Sequence, residues 1–263
     1  MNELLALAAE YRGTFILVFV RLGAMLAVAP VLGHRSLPMM HRAGLAALFA
    51  LVLAPVVGPV RTARLDEGLG LTLALAGEVF VGVVIGFVAS LAVAAVQSAA
   101  ELVGFQMGLG MGAVFDPAMG QPATSLTRFQ EVVALLLFLA INGHHALLLT
   151  VAASFQAIAP GAVLAYPGLA AGLSTLGGKL FRSSLELAAP LIGILFIVNV
   201  VMALFTRVAP QMNVFALGAP VMVAVGLFGL IETTPYFMSV VGRLFGEIGG
   251  DLRTVFAGVS RGF

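Results

Sequence analysis

The chain has 263 residues, 61% of them hydrophobic and 10% charged, with a net charge of +1 and a mean hydropathy of +1.12. Soluble domains carry about 25% charged residues, so an all-α, membrane-associated protein is expected, and the short alternating segments of a β-barrel are missing. The near-neutral balance gives no footprint for nucleic acid, and the absence of Cys excludes disulfides and thiolate chemistry.

The first apolar segment runs from Leu4 to Val31 and carries Arg21 inside it. With Glu3 and Glu10 ahead of Arg12 there is no basic leader region, so this reads as an uncleaved span rather than a signal peptide. After Gly33–Gly44 comes a short segment, Leu45–Val57, that spans a bilayer only by drawing on flanking residues. The third segment, Leu71–Val103, would be roughly 50 Å long as a helix, against roughly 30 Å of hydrocarbon core. Along it Gly82, Gly86, Ser90, Ala94 and Ser98 recur every four residues, continuing from Glu78, which makes one close-packing face.

Gly104–Arg128 (GFQMGLGMGAVFDPAMGQPATSLTR) is a 25-residue connection with little charge. A surface loop of a soluble protein is shorter and more polar. Gly104, Gly108 and Gly112 fall four apart, as do Met107, Met111 and Phe115, so a helical first half would set a bare stripe beside a Met/Phe stripe. Either a pore plug or a close-packed helical hairpin would use such a pattern. Thr127 with Gln130 resembles a capping box opening the fourth segment, and Arg128 can pair with Glu131. That segment reaches Phe155 across a polar break, Asn142-Gly-His-His145. The fifth covers Leu180–Leu204. Phe205–Pro220 connects it to a sixth, Val221–Ile231, and an amphipathic tail follows over residues 235–263. Eight Arg/Lys on the tails and even connections, against four on the others, place both termini in the cytoplasm.

Catalysis finds little support. Gly108-Leu-Gly-Met-Gly112 follows no strand and lacks the GKS/T of a P-loop. Asp116 is the sole aspartate between Asp66 and Asp251, and no HExxH or GxSxG occurs, so no enzyme, cofactor or metal set is expected. His144 and His145 are adjacent and point to different helix faces, which suits structural roles better than ligation. Arg21, Glu78, Glu101, Glu186 and Arg207 are ionisable residues in apolar surroundings. Such groups pair across helices or face a water path. A small-solute secondary transporter using Glu78, Glu101 and Glu186, or a purely structural scaffold, are therefore alternatives to a gate.

Several stretches together resemble the FliR family of flagellar export proteins and its virulence-secretion counterparts, the SctT/SpaR group. They are Arg21 with Ala29-Pro-Val-Leu-Gly33 and Arg35-Ser-Leu-Pro38; Glu78-Val-Phe-Val-Gly82-Val-Val-Ile-Gly86-Phe87; Gln97, then Gln106-Met107-Gly108 through Phe115-Asp116-Pro117; Asn142-Gly-His144; and Pro210-Gln211-Met-Asn213-Val-Phe through Pro220. The resemblance covers essentially the whole chain as one domain, 1–263. It implies bent helical hairpins, with a FliP-like part joined to a FliQ-like part. It also implies a subunit of the type III export gate in the bacterial inner membrane, at the flagellar basal body, with FliP, FliQ, FlhB and FlhA as partners and unfolded export substrates as cargo. It places a plug at 104–120, carried by Gly104, Met107, Gly108, Gly110, Met111, Gly112, Phe115, Asp116 and Pro117. Helix packing and assembly fall to Arg21, Glu78, Gly82, Gly86, Gln97, Asn142, Arg207, Gln211 and Asn213.

Overall fold

The structure is a computed structural model, and it describes residues 2–30, 33, 38–59, 68–109, 125–158, 169–209, 211 and 214–257. Among these the only regular elements are seven α-helices: α1 Asn2–Val28, α2 Met39–Val57, α3 Gly68–Gln106, α4 Ser125–Ala140, α5 Gly143–Ala157, α6 Leu169–Val208 and α7 Val214–Ala257. In hydrocarbon every backbone N–H and C=O must be satisfied within its own segment, and a helix does this. α1, α2, α3, α6 and α7 are each long and apolar enough to cross a membrane, and the broken pair α4–α5 raises the count to six.

Three sequence expectations change. The second segment is not short: α2 starts at Met39, directly after Pro38 in an extended conformation (φ −56°, ψ 144°). Its 19 residues reach about 28 Å, because His41 and Arg42 lie inside the helix rather than before it. Secondly, α6 begins at Leu169, well ahead of Leu180, so the Gly- and Ser-containing stretch before Lys179 is helical. Thirdly, the short sixth segment and separate tail are one 44-residue helix, α7, running through Pro220 and Pro235. A proline inside a helix forfeits a hydrogen bond at a cost of about 3 kcal/mol, but membrane helices tolerate it where neighbouring hydroxyls help. The Thr233 and Thr234 hydroxyls donate to the Gly229 and Leu230 carbonyls just before Pro235, each at 2.8 Å. The amphipathic pattern survives inside α7, with Val240, Val241, Leu244, Phe245 and Ile248 buried and Arg243 and Glu247 exposed.

The overlong third segment is a single helix of 39 residues, about 58 Å at 1.5 Å per residue. The polar break is real too. Asn142 sits in the left-handed region (φ 58°, ψ 32°) and separates α4 from α5. Asparagine reaches that conformation more readily than most residues because its short polar side chain bonds locally.

The chain divides into two compact units, residues 1–91, 142–176 and 246–263, and residues 92–141 with 177–245. In the first, α1 packs along α2. The alanines Ala46, Ala50 and Ala54 form the buried stripe of α2, and Leu17, Leu22, Met25 and Leu26 are enclosed on α1. In the second unit Val96, Ala100, Ala134, Leu195 and Val241 are buried. The rings of Phe138 and Phe245 meet there at 5.0 Å between centroids.

Candidate functional site

In the first unit, α1 and α3 meet at a buried ion pair. Arg21 and Glu78 are 0% and 2% exposed. The Arg21 Nε donates to Glu78 Oε2 at 2.5 Å, one terminal nitrogen donates to Ser154 Oγ at 2.8 Å, and the other reaches the Ile158 carbonyl at 3.5 Å. Its guanidinium carbon lies 3.7 Å from the centroid of the Phe155 ring. Ser154 in turn donates to the Val151 carbonyl at 2.6 Å. Desolvating a charge costs several kcal/mol per ion, and only close geometry with further hydrogen bonds offsets it. Here the guanidinium is held by carboxylate, hydroxyl, carbonyl and ring together.

The small face of α3 explains how the helices come so close. Glu78, Gly82 and Gly86 are four apart and share one face. A Cβ on Gly82 would overlap the Arg21 carbonyl oxygen, and one on Gly86 would lie 2.7 Å from the Met25 carbonyl oxygen. The backbone of α1 thus fills the space these glycines leave, the small-residue mode of membrane helix packing. Sequence pairing of Arg21 with an acid is resolved in favour of Glu78. Ser154 and Phe155 were missed as its other partners, since nothing local in α5 marks them.

In the second unit the buried end of α3 leads into the Gly/Met stretch. Met107 N–H bonds the Val103 carbonyl at 2.9 Å, Gly108 N–H the Phe105 carbonyl at 3.0 Å, and Leu109 N–H the Gly104 carbonyl at 2.9 Å. The last two bonds, with Gly108 at φ 78°, make a Schellman cap in which Gly108 is the left-handed residue after the helix. This ends the helical half of the stretch early: Gly104 is buried in α3, and Gly108 turns the chain out of the helix. Met107 is 1% exposed. Its side chain lies where a Cβ on Gly226 of α7 would sit, with Sδ 2.6 Å and Cγ 2.8 Å from that position. A turn along α7, Gly229 likewise receives the tip of Leu191. Gly110, Met111, Gly112, Phe115, Asp116 and Pro117 fall outside the described residues, as does Asn213.

The remaining predicted residues do not join either cluster. Gln97 is half-buried on α3, Asn142 is exposed at the bend, and Arg207 and Gln211 are exposed. Arg207 occupies the last turn of α6, where the helix dipole favours a cation. Glu101 is exposed. Glu186 accepts a bond from Arg243 at 2.5 Å, and these side chains are 35% and 51% exposed. Arg128 and Glu131 pair at 3.5 Å as their spacing predicts. Thr127 does not cap α4, which starts two residues earlier, and its side chain is buried. Among the described residues no three His, Asp or Glu side chains converge as a metal site.

Helices of this length and hydropathy, joined through glycine faces and a buried ion pair, define an α-helical, multi-pass membrane protein. Residues 13–248 match the model of the family described as bacterial export proteins, family 1. The chain is 34% identical over 236 residues to the flagellar biosynthetic protein FliR of Pectobacterium carotovorum subsp. carotovorum, covering 89% of each. It is 32% identical over 248 residues to FliR of Bacillus subtilis strain 168, covering 92% of this chain and 94% of the relative. FliR of Escherichia coli K12 is 32% identical over 228 residues, 87% of each. The chain belongs to this family of export proteins, on its FliR side. It is a membrane component of the flagellar export apparatus and not an enzyme.

Proposed function

We propose that the protein is a subunit of the flagellar type III export gate in the bacterial inner membrane. It joins FliP and FliQ in a pore that passes unfolded flagellar proteins, with FlhB and FlhA as neighbouring subunits. In this reading Gly104–Gly120 is the plug. Met107, Met111 and Phe115 close it, Gly108, Gly110 and Gly112 let the backbone move, and Asp116-Pro117 turns the chain at its end. Arg21, Glu78, Gly82 and Gly86 hold the subunit's own helices. Gln97, Asn142, Arg207, Gln211 and Asn213 are assembly contacts, and a FliP-like and a FliQ-like part make up the subunit.

The observation that carries the reading is the root of the segment, where Met107 sits in the Gly226 notch and Gly108 breaks the helix. An idle export pore must hold back ions yet admit chains of any sequence. Apolar constrictions seal by dewetting, and the unbranched Met side chain re-packs around varied shapes. Deleting Gly108–Gly112 is expected to leave an assembled gate that leaks, read as loss of membrane potential in cells that make the complex. A deletion that assembles and holds its potential defeats the plug assignment.

A further inference from the structure

Residues 187–206 of α6, between Glu186 and Arg207, carry no ionisable side chain. As a helix they measure about 30 Å, the thickness of a hydrocarbon core. The two charges therefore mark the ends of one crossing. Glu186 pairs with Arg243 at a half-exposed position, and Arg207 is exposed. Asn199 and Thr206 are the only polar residues of the crossing. Thr206 spends its hydroxyl on the Ala203 carbonyl of its own helix at 2.6 Å. Asn199 does not: it is exposed, and among the described residues its carboxamide makes no hydrogen bond. Along the axis it lies about 12 Å from Arg207 and about 20 Å from Glu186. That is too deep for so short a side chain to reach either membrane surface.

The chemistry of Asn199 says what covers it. Its carboxamide carries two N–H donors and an acceptor oxygen, and leaving them unmade in hydrocarbon is costly. A lipid tail offers no partner. A lone water needs two to four polar groups, and this stretch of α6 supplies one. A backbone inside the hydrocarbon is helical, with its own groups already used. What meets Asn199 is therefore a polar side chain on a helix, the bond that holds helices together in membranes. The surroundings admit such a helix. Leu187, Ala188, Leu191 and Leu195 are buried on one side of α6. At 100° per residue, Ala189, Gly193, Phe196, Val200 and Ala203 share a separate arc with Asn199, and all are exposed. A Cβ on Gly193 would meet no atom within 4 Å, whereas Gly226 and Gly229 hold side chains of this same chain. Small residues on that arc let another backbone come close to the carboxamide.

We propose that this arc of α6 seats a membrane helix of a different subunit, and that a carboxamide or hydroxyl of that helix pairs with Asn199 near the middle of the bilayer. The proposal rests on the reading of the protein as one subunit of a multi-subunit gate. It explains why an asparagine stands at a depth where it bonds nothing within the described chain.

The test uses the full-length chain with Asn199→Leu, Asn199→Gln or Gly193→Leu. Purified alone in detergent, none of the three should melt below the unaltered protein, because Asn199 bonds no described residue and Gly193 faces open space. A lower melting temperature for Asn199→Leu alone shows that the residue serves its own chain and overturns the proposal. Cells that make the whole apparatus then express the unaltered chain and one variant in equal amounts under different tags. Asn199→Leu should enter the assembled complex about fivefold less than the unaltered chain, and Asn199→Gln should recover most of that. Gly193→Leu should be excluded at least as strongly as Asn199→Leu. Equal entry of Asn199→Leu and the unaltered chain overturns the proposal and leaves the gate reading standing. An unaltered chain that purifies without companions sinks the gate reading and this assignment together. Finally, p-benzoylphenylalanine replaces Val200 in the same cells, and the expected adduct maps to a membrane helix of a different subunit. Adducts confined to lipid, exported cargo, a second copy or another segment of this chain overturn the partner assignment.

Discussion

Arg21 of α1 and Met107, just past the end of α3, are both almost fully enclosed, and each closes on a glycine of another helix. At Arg21 it is the backbone carbonyl that lies against Gly82 of α3, and the side chain then makes charged and polar bonds to Glu78, Ser154 and Ile158. At Met107 the thioether side chain itself fills the space over Gly226 of α7. The first junction cannot open without baring a charge to a low-dielectric interior. The second exchanges one set of dispersion contacts for another, each worth only about 0.1–0.2 kcal/mol per atom pair. The first junction is held by charge and the second by shape.

Breaking the charged junction should have the largest effect. Glu78→Leu leaves Arg21 buried without its carboxylate and is expected to cost about 3–5 kcal/mol, seen as a lower melting temperature of the purified protein. Combining it with Arg21→Met removes the stranded charge and should restore most of the loss. If the double variant is as unstable as the single one, the ion pair is not what sets the stability of the α1–α3 contact.

The apolar junction should yield more cheaply. Gly226→Val drives side-chain atoms into the Met107 position and is expected to cost about 1–3 kcal/mol. Met107→Ala on that background should return the stability, because the notch and its occupant exchange volume. No recovery would show that Gly226 serves something other than Met107.

The smallest effect belongs to the cap. Gly108→Ala places a Cβ at φ 78° and should cost about 1 kcal/mol, with Gly108→Asn milder since Asn visits that region. Hydrogen exchange confined to the last turn of α3 would report it. Equal stability of Gly, Asn and Ala at this position would argue against the left-handed cap.

Most of the helical architecture was readable along the chain. Hydropathy located five single spans and the broken one, and the four-residue rhythm of Glu78, Gly82 and Gly86 located the face that packs. Helix ends were less legible. Pro220 and Pro235 read as breakers, yet α7 continues through both. The Gly/Met stretch shows the opposite error. Its four-residue spacing suggested a continuing helix, and the left-handed conformation of Gly108 ended it, an outcome that glycine permits and spacing does not reveal.

Composition and period determined that this chain is helical, crosses a membrane several times and presses a glycine face against a neighbour. These properties depend on residues close in sequence. Which residues complete each junction was decided only in three dimensions. Arg21 is separated from Ser154 by 133 positions, and Met107 meets Gly226 from a distant helix. A local pattern states which face of a helix is small or polar, but only the fold states what is brought against it.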